Sequence, residues 1–416
     1  MTEISTSDLF RVFGRIGVTS FGGPAAQIAL MHKSLVDERQ WLFEKDFLSA
    51  LSFCMLLPGP EAMQLATFAG WKLRGTLGGL IAGLLFVLPG ALVILFLALG
   101  YSIWGDLPAM QAIFVGIKAT VIVIVVQALA KVSKKALTTR SAWAIAALCF
   151  VGIFLFDVPF PVIILLAAVW GYMSATSSSL GTVQRPSNTK TAKTIVQWGG
   201  LWITPILVLW VLDQDFLLQI ALFFSQLAVV TFGGAYAVLA YMTQQVVIDH
   251  QWLTTPEMID ALGLAETTPG PLILVTQFVG TLAGVKANGI AFGLLAGLIT
   301  LWVTFVPCFL WIFTGAPYIA WLSSQPRLSA ALSSISAAVV GVMLNLSVWF
   351  ALHVFFLDIR SVSFGFGSAV VPVMESFQFT PAALCVVTGL LLLRLKLSVL
   401  TTLTLMGTLG WVISLV

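Results

Sequence analysis

The stretch that decides the fold occurs twice in this chain. Residues 21–60 read FGGPAAQIALMHKSLVDERQWLFEKDFLSALSFCMLLPGP, and residues 232–271 read FGGAYAVLAYMTQQVVIDHQWLTTPEMIDALGLAETTPGP. A shift of 211 positions aligns the two stretches without a gap, and fifteen of the forty aligned residues are identical. The identities include Phe-Gly-Gly at the start, Gln-Trp-Leu in the middle and Pro-Gly-Pro at the end. Three motifs held in one register indicate an internal duplication.

The composition around the duplicated stretch is that of a membrane protein. Of the 416 residues, 59% are hydrophobic and 9% are charged, whereas about 25% of residues are charged in soluble proteins. Many uncharged runs are at least 18 residues long, which is the length of a membrane-spanning helix. The sequence therefore predicts an all-α polytopic membrane protein.

The apolar segments number about thirteen and fall into two sets of six with one extra span, 198–212, between them. If the first set crosses the membrane an even number of times, it begins and ends on the same side. The extra span then makes the second set begin on the opposite side, so the pattern predicts two inverted six-segment repeats. The predicted domains are an N-terminal repeat (1–173), a cytoplasmic linker with its connecting transmembrane helix (174–215), and a C-terminal inverted repeat (216–416). The first set is 9–31, 47–70, 76–103, 108–130, 142–156 and 158–173, and the second is 216–243, 257–285, 289–314, 329–356, 380–394 and 397–416.

Loop charges predict the orientation of the first half. Loops at 72–75, 131–140 and 174–197 carry nine Lys and Arg residues, and the alternate loops carry none. Positive loops face the cytoplasm, so we expect the N-terminus in the cytoplasm and the C-terminus on the opposite face. Because the basic residues sit in short loops between helices, they predict topology and contact with the lipid bilayer, with no nucleic-acid partner.

The two Pro-Gly-Pro triplets predict broken or re-entrant helices. Proline removes a backbone donor and clashes with the preceding turn, so no helix passes straight through such a triplet. A helix that begins there directs unpaired N–H groups and the positive end of its dipole into the gap, which favours an anion. Paired broken helices in inverted repeats are typical of the binding sites of secondary transporters, although Gly and Pro also serve packing alone in membrane helices. The candidate substrate-binding residues are Phe21, Gly22, Gly23, Pro24, Pro58, Gly59, Pro60, Gln64, Phe232, Gly233, Gly234, Thr267, Thr268, Pro269, Gly270 and Pro271.

Three of the ionisable residues within apolar segments are candidates for function. Glu61 directly follows the first Pro-Gly-Pro and Glu266 lies three residues before the second, and the two copies do not share these acids. Lys118 lies midway along an apolar span. A charge inside a membrane segment is costly and is a functional hypothesis by default. We predict proton coupling or gating for the two acids and anion contact for Lys118, with snorkelling to water as the alternative for the acids.

Motifs of other protein classes are missing from the sequence. It holds no GxxxxGK[ST], GxSxG or HExxH pattern, and its three histidines lack metal-ligand spacing. The prediction is a transporter of a small anion, not an enzyme, with no metal and no cofactor. The alternatives are a membrane-embedded enzyme acting on a lipid or isoprenoid phosphate, and a scaffold or receptor. A homodimer is an assembly that the sequence leaves open.

The motifs resemble those of the chromate ion transporter family in its long, two-domain form. The resemblance rests on Phe21-Gly22-Gly23-Pro24, on Trp41-Leu42, on residues 56–62 (LLPGPEA) and on residues 262–271 (LGLAETTPGP). It implies export of chromate from the bacterial cytoplasm across the inner membrane, driven by the membrane potential or a proton gradient, with sulfate as an analogue. Glu61 departs from a common family pattern, in which Asn follows Pro-Gly-Pro.

Overall fold

The long apolar runs fold as helices, because a segment in a membrane must satisfy its backbone N–H and C=O groups internally. The computed structural model describes residues 4–175, 188–232, 235–323, 325–365 and 367–415. Four features of the sequence analysis lie outside these residues: Gly233, Gly234, the linker segment 176–187 and the C-terminal Val416.

The described α-helices are numbered in chain order on either side of the linker. Those before the linker are α1 (Thr6–Thr19), α2 (Gly23–His32), α3 (Glu44–Cys54), α4 (Glu61–Trp104), α5 (Pro108–Ala136), α6 (Arg140–Phe156) and α7 (Phe160–Ser174). Those after it are α8 (Asn188–Val211), α9 (Asp215–Val230), α10 (Ala235–Gln244), α11 (Thr255–Glu266), α12 (Val275–Gly315), α13 (Ile319–Ser323), α14 (Pro326–Phe355), α15 (Phe379–Gly389) and α16 (Val399–Ile413).

Helices α4 and α12 are each two legs joined by a two-residue turn. The backbone leaves helical geometry at residues 74–75 in α4 and at residues 288–289 in α12. The first legs, 61–73 and 275–287, are each about 20 Å long at 1.5 Å per residue. Each is therefore shorter than the hydrocarbon core of a bilayer, which is about 30 Å thick.

The two legs of each hairpin pack closely and run in opposite directions. A Cβ atom added to Gly83 would overlap the Thr67 hydroxyl across the first turn, and one added to Gly297 would overlap the Thr281 hydroxyl across the second. Glycine at these positions lets the two backbones approach each other, as small residues do between membrane helices. The short first leg is thus held against the long second leg.

Five helical segments of the described chain are long and apolar enough to cross a membrane. They are Glu61–Trp104, Pro108–Ala136, Thr191–Val211, Leu272–Tyr318 and Pro326–Phe355, and five shorter apolar helices accompany them. This confirms a helical, multi-pass membrane protein.

Two features of the backbone occur in both copies, at the spacing of 211 residues found in the sequence. Gln40 and Gln251, which lie 211 residues apart, both have a φ of 53°. The next residue in each copy, Trp41 or Trp252, donates its N–H to the carbonyl six residues earlier, at 2.8 Å and 2.9 Å. The duplicated sequence therefore produces duplicated local structure.

Packing groups the chain into two compact units, each with segments from both copies. The first comprises Met1–Ser102, Ser177–Ala235 and Thr268–Ser329, and the second comprises Ile103–Thr176, Tyr236–Thr267 and Ala330–Val416. In the first unit α12 packs against α8 and α9, and in the second α5 packs against α11, α15 and α16.

A β-hairpin near residue 365 was not predicted. Strands β1 (Ile359–Phe364) and β2 (Gly367–Pro372) form an antiparallel hairpin in which Ile359 pairs with Pro372. The all-α prediction treated this part of the chain as a connection. Most of β1 is exposed, so no buried face gave it an apolar alternation that the sequence analysis would have detected.

Candidate transport site

The Phe-Gly-Gly-Pro motif ends α1 and starts α2. The Ser20 hydroxyl donates to the carbonyl of Ile16 at 2.6 Å where α1 ends. Gly22 and Gly23 have φ values of +86° and +78°, which glycine adopts without the steric penalty of other residues. Pro24 then lies in the first turn of α2, where its missing N–H is harmless. The chain is therefore interrupted between α1 and α2 at this motif.

The first Pro-Gly-Pro lies between α3 and α4 and is closed by a side chain. Gly59 has a φ of +117°, and a Cβ atom there would lie 2.8 Å from Nε2 of Gln64 and 2.9 Å from Sγ of Cys308. The same Gln64 amide donates to the carbonyl of Pro58 at 2.6 Å. Helix α4 begins at Glu61, directly after the triplet. Only glycine satisfies both the backbone conformation and the space at position 59.

The second Pro-Gly-Pro has the same form with three residues added. Gly270 has a φ of +86°, and a short 3₁₀ turn, Leu272–Leu274, precedes α12. The added turn changes the spacing between equivalent positions from 211 before the triplet to 214 after it. Turn 74–75 therefore corresponds to turn 288–289.

Each Pro-Gly-Pro is bonded to the Phe-Gly-Gly region of the other copy. The N–H of Gly59 donates to the carbonyl of Thr231 at 2.7 Å, and the N–H of Gly270 donates to the carbonyl of Ser20 at 2.9 Å. Both donors and both acceptors are 211 residues apart, so the two bonds are equivalent. Reciprocal contacts of this kind are what a two-fold relation between two copies produces.

Gln27 reinforces one of these bonds. Its amide Nε2 donates to the carbonyl of Gly270 at 2.6 Å and to that of Ser20 at 3.2 Å, although 243 residues separate Gln27 from Gly270. Within the described residues the amide oxygens of Gln27, Gln64 and Gln277 are buried and accept no hydrogen bond from the protein. Buried acceptors in this state call for a donor such as ordered water.

The reciprocal bonds use N–H groups that precede the helices, since α4 begins at Glu61 and the turn before α12 begins at Leu272. The N–H groups of Gly59 and Gly270 are already bonded to carbonyls, so neither is open to an anion in this conformation. Helix α4 makes its first internal bond from the N–H of Gln64 to Pro60 at 3.0 Å. The N–H groups of Ala62 and Met63 precede that bond and have no carbonyl within the helix.

The two acids lie at opposite kinds of helix end. Glu61 is the first residue of α4, where the helix dipole stabilises a carboxylate, and Glu266 is the last residue of α11, where it does not. Both side chains are half-buried. Thr267 and Thr268 follow Glu266 in the connection to the second Pro-Gly-Pro, and Thr268 is buried.

The chain is similar to known proteins over most of its length. The model of the chromate transporter family matches residues 7–172 and 218–411. The chain belongs to the chromate transporter family. It is 30% identical to a probable chromate transport protein of Synechococcus elongatus, over 81% of this chain and 82% of that protein. It is also 30% identical to the chromate transport proteins of Cupriavidus metallidurans (80% of this chain, 79% of that protein) and Pseudomonas aeruginosa (82% and 80%). No solved structure matches the chain.

Membership of the chromate transporter family supports a chromate transport role in a membrane, with an oxyanion as substrate. It points to a transporter and away from the enzyme alternative. The resemblance carried by the Phe-Gly-Gly-Pro and Pro-Gly-Pro motifs is thus confirmed across both copies.

Lys118 has a partner that the sequence analysis missed. Its Nζ lies 3.3 Å from Oδ1 of Asp260, whose side chain is completely buried, while 17% of the Lys118 side chain is exposed. Asp260 lies in an apolar segment just as Glu61 and Glu266 do, and the same signal would have found it. Its equivalent in the first copy is Ser49, so this ion pair, like the two glutamates, is not duplicated.

Proposed function

We propose that this protein exports chromate from the bacterial cytoplasm across the inner membrane as a secondary active transporter. The observation that carries the proposal is the pair of reciprocal hydrogen bonds between Gly59 and Thr231 and between Gly270 and Ser20. They join broken helices from two copies of one motif, which is the construction of midplane sites in secondary transporters.

We propose further that the two copies are inverted, with about thirteen apolar segments in all. The domains would be residues 1–173, 174–215 and 216–416, with α8 as the connecting helix. The short legs 61–73 and 275–287 then start near the membrane midplane and end at turns on opposite faces, because each is about 20 Å long. The positive loop at 72–75 favours the cytoplasm for the first of these turns.

The proposed site combines helix ends with small polar groups. An oxyanion needs several hydrogen-bond donors, which the first turn of a helix supplies together with a favourable dipole. The residues proposed to line the site are those of the two Phe-Gly-Gly and two Pro-Gly-Pro motifs, with Gln64, Thr267 and Thr268. The N–H groups of Gly59 and Gly270 donate to the carbonyls of Thr231 and Ser20 in this conformation. We expect a bound anion to replace these carbonyls as the acceptor.

The membrane potential is a sufficient driving force for a dianion. When the cytoplasm is 100 mV negative, the exit of each negative charge lowers the free energy by about 2.3 kcal/mol. An acid in the pathway repels the cargo when ionised, so its presence fits a group that is protonated while the anion is bound. We propose Glu266 for this proton-linked role and Glu61 as a gate or helix-end cap.

Tracer flux tests the proposal. Purified protein is reconstituted in inverted vesicles, and entry of labelled chromate is measured with and without an imposed potential. We expect entry that the potential accelerates and that sulfate, a tetrahedral dianion of similar shape, inhibits. No chromate entry above that of protein-free vesicles would overturn the proposal. A homodimer stays a prediction from sequence, tested by the mass of the purified protein.

A further inference from the structure

The second unit contains a cavity that the Pro-Gly-Pro motifs do not line. Its volume is about 490 Å³, and its polar wall consists of Lys118, Thr255, His353 and Gln378. A water molecule takes up about 30 Å³ in the liquid, so a small oxyanion fits together with several waters. The volume also lies within the range of known ligand sites.

Lys118 connects this cavity to a buried carboxylate. Its ammonium group lies 3.3 Å from Asp260, which is fully buried, while the lysine side chain is itself part of the cavity wall. A carboxylate without water is stable only when it is paired. The pair is neutral overall, and only its positive member reaches the cavity.

His353 adds a group whose charge changes with protonation. Its Nδ1 lies 2.8 Å from the carbonyl of Trp349 on the same helix. Because a carbonyl only accepts, Nδ1 carries the proton and Nε2 is left as the second nitrogen. In the neutral ring Nε2 offers a lone pair, which repels an anion, and in the protonated ring it becomes a donor.

The charges of the wall can be summed element by element. Helix α5 contributes Lys118, α11 contributes Asp260 behind it, and α14 contributes His353; the lining residues of α15 and of the segment before it are uncharged. With His353 neutral the sum is zero, and protonation of His353 raises it to +1. Protonation of Asp260 as well raises it to +2.

Three charged residues are next in sequence to lining residues but do not line the cavity themselves. The Glu257 carboxylate accepts from the N–H of Thr254 at 2.7 Å, in the cap of α11. Asp358 and Arg360 lie on either side of the lining residue Ile359 and have opposite charges. None of these alters the sum within the wall.

We propose that this cavity is a second binding site for a small tetrahedral oxyanion, and that binding there takes up a proton. The anion contacts Lys118, the Gln378 amide and the protonated Nε2 of His353. The choice of an oxyanion as ligand rests on the proposed function, but the site is separate from the transport motifs and is tested by binding, without any flux measurement.

Sulfate is the probe of choice, since it stays a dianion near neutral pH. Its binding to the purified full-length protein is measured by calorimetry at about pH 6 and about pH 8, in two buffers of different ionisation enthalpy. Binding linked to one proton tightens by at most about tenfold per pH unit. We expect binding about tenfold tighter at the lower pH, with net proton uptake.

Four variants separate the proposal from a merely structural ion pair. His353→Gln should bind sulfate with little dependence on pH. Asp260→Asn removes the competing negative charge and should bind more tightly than the parent. The double variant Lys118→Met/Asp260→Asn leaves no unpaired buried charge and should lose the pH-linked binding of sulfate. Lys131 is exposed on the same helix, and Lys131→Met should bind sulfate as the parent does.

Two results would overturn the proposal: sulfate binding that is the same at both pH values, or binding unchanged in the double variant. Sulfate binding that depends on pH, in a protein that transports no chromate, would support the second site and reject the proposed transport function. Chromate flux without pH-linked binding would do the reverse.

Discussion

At the scale of single residues, the two glutamates near the Pro-Gly-Pro triplets differ in position and therefore in expected role. Glu61 begins α4, and Glu266 ends α11. A helix N-terminus stabilises a negative charge and a C-terminus does not. Glu266 therefore loses less electrostatic stabilisation than Glu61 when its carboxylate is protonated. This suits a group that alternates between a charged and a neutral state.

Conservative substitution separates the two roles. Glu266→Gln should keep chromate binding while transport loses its dependence on a pH gradient, because the side chain no longer exchanges a proton. Glu61→Gln should lower the rate and keep that dependence. Flux into vesicles with and without a pH gradient measures both effects. A Glu266→Gln protein that responds to the gradient as the parent does would refute the assignment.

His32 gives a pH dependence of stability outside the membrane segments. A hydrogen bond to Glu44 at 2.6 Å is the main cause that raises the pKa of His32 above 6.5, and Asp37 at 3.3 Å adds to it, while partial burial opposes both. Since the folded pKa is the higher one, this contact stabilises the protein fully below about pH 6.5 and stops doing so as the pH rises through the folded value.

The thermal midpoint of the parent should therefore fall between about pH 6.5 and pH 8.5 by more than that of His32→Gln. The difference should stay within about 1 kcal/mol, because the pair is partly exposed. Glu44→Gln should reduce the pH dependence in the same way. Parallel curves for the parent and both variants would show that the contact contributes nothing.

At the scale of elements, the sequence predicted where helices break but not how the breaks pair. The proline and glycine positions are local signals, and the structure confirms the interruptions at the Pro-Gly-Pro motifs. The bond from Gly270 to Ser20 joins residues 250 positions apart, and no local pattern encodes it. The added 3₁₀ turn Leu272–Leu274 was equally hidden, because Leu and Ile also fit an ordinary helix.

The α4 hairpin depends on the close approach at Gly83. A Cβ atom there would overlap the Thr67 hydroxyl and lie 2.6 Å from the Phe309 ring. Gly83→Leu should therefore force the two legs apart and lower stability by about 1–3 kcal/mol, the range for overpacked cores. Thermal unfolding measures the loss. Gly200→Leu is the matched control, since nothing lies within 4 Å of a Cβ atom at that position; equal losses would show that the hairpin is not tightly packed.

At the scale of the whole molecule, the inverted arrangement is a prediction from loop charge and from the parity of the apolar segments. Thr76 and Ile290 occupy equivalent positions, each one residue after the turn of its hairpin, and both are exposed. Inverted copies place these two positions on opposite faces of the membrane, and parallel copies place them on the same face.

Labelling with a membrane-impermeant thiol reagent decides between these arrangements. Thr76→Cys and Ile290→Cys are made separately in a protein whose native cysteines (Cys54, Cys149, Cys308 and Cys385) are replaced by Ala. We expect Ile290→Cys to react in intact cells and Thr76→Cys to react only after the membrane is opened. Reaction of both in intact cells, or of neither, would contradict the inverted arrangement.

Chromate flux through variants of the two Pro-Gly-Pro glycines tests the proposed site most directly. Valine at Gly59 or Gly270 is incompatible with the positive φ and fills the space that the turn leaves. Gly59→Val and Gly270→Val should each remain in the membrane and lose potential-driven entry of chromate into inverted vesicles, while Gly200→Val should transport as the parent does. Undiminished flux through both Gly59→Val and Gly270→Val would place the chromate site elsewhere in the chain.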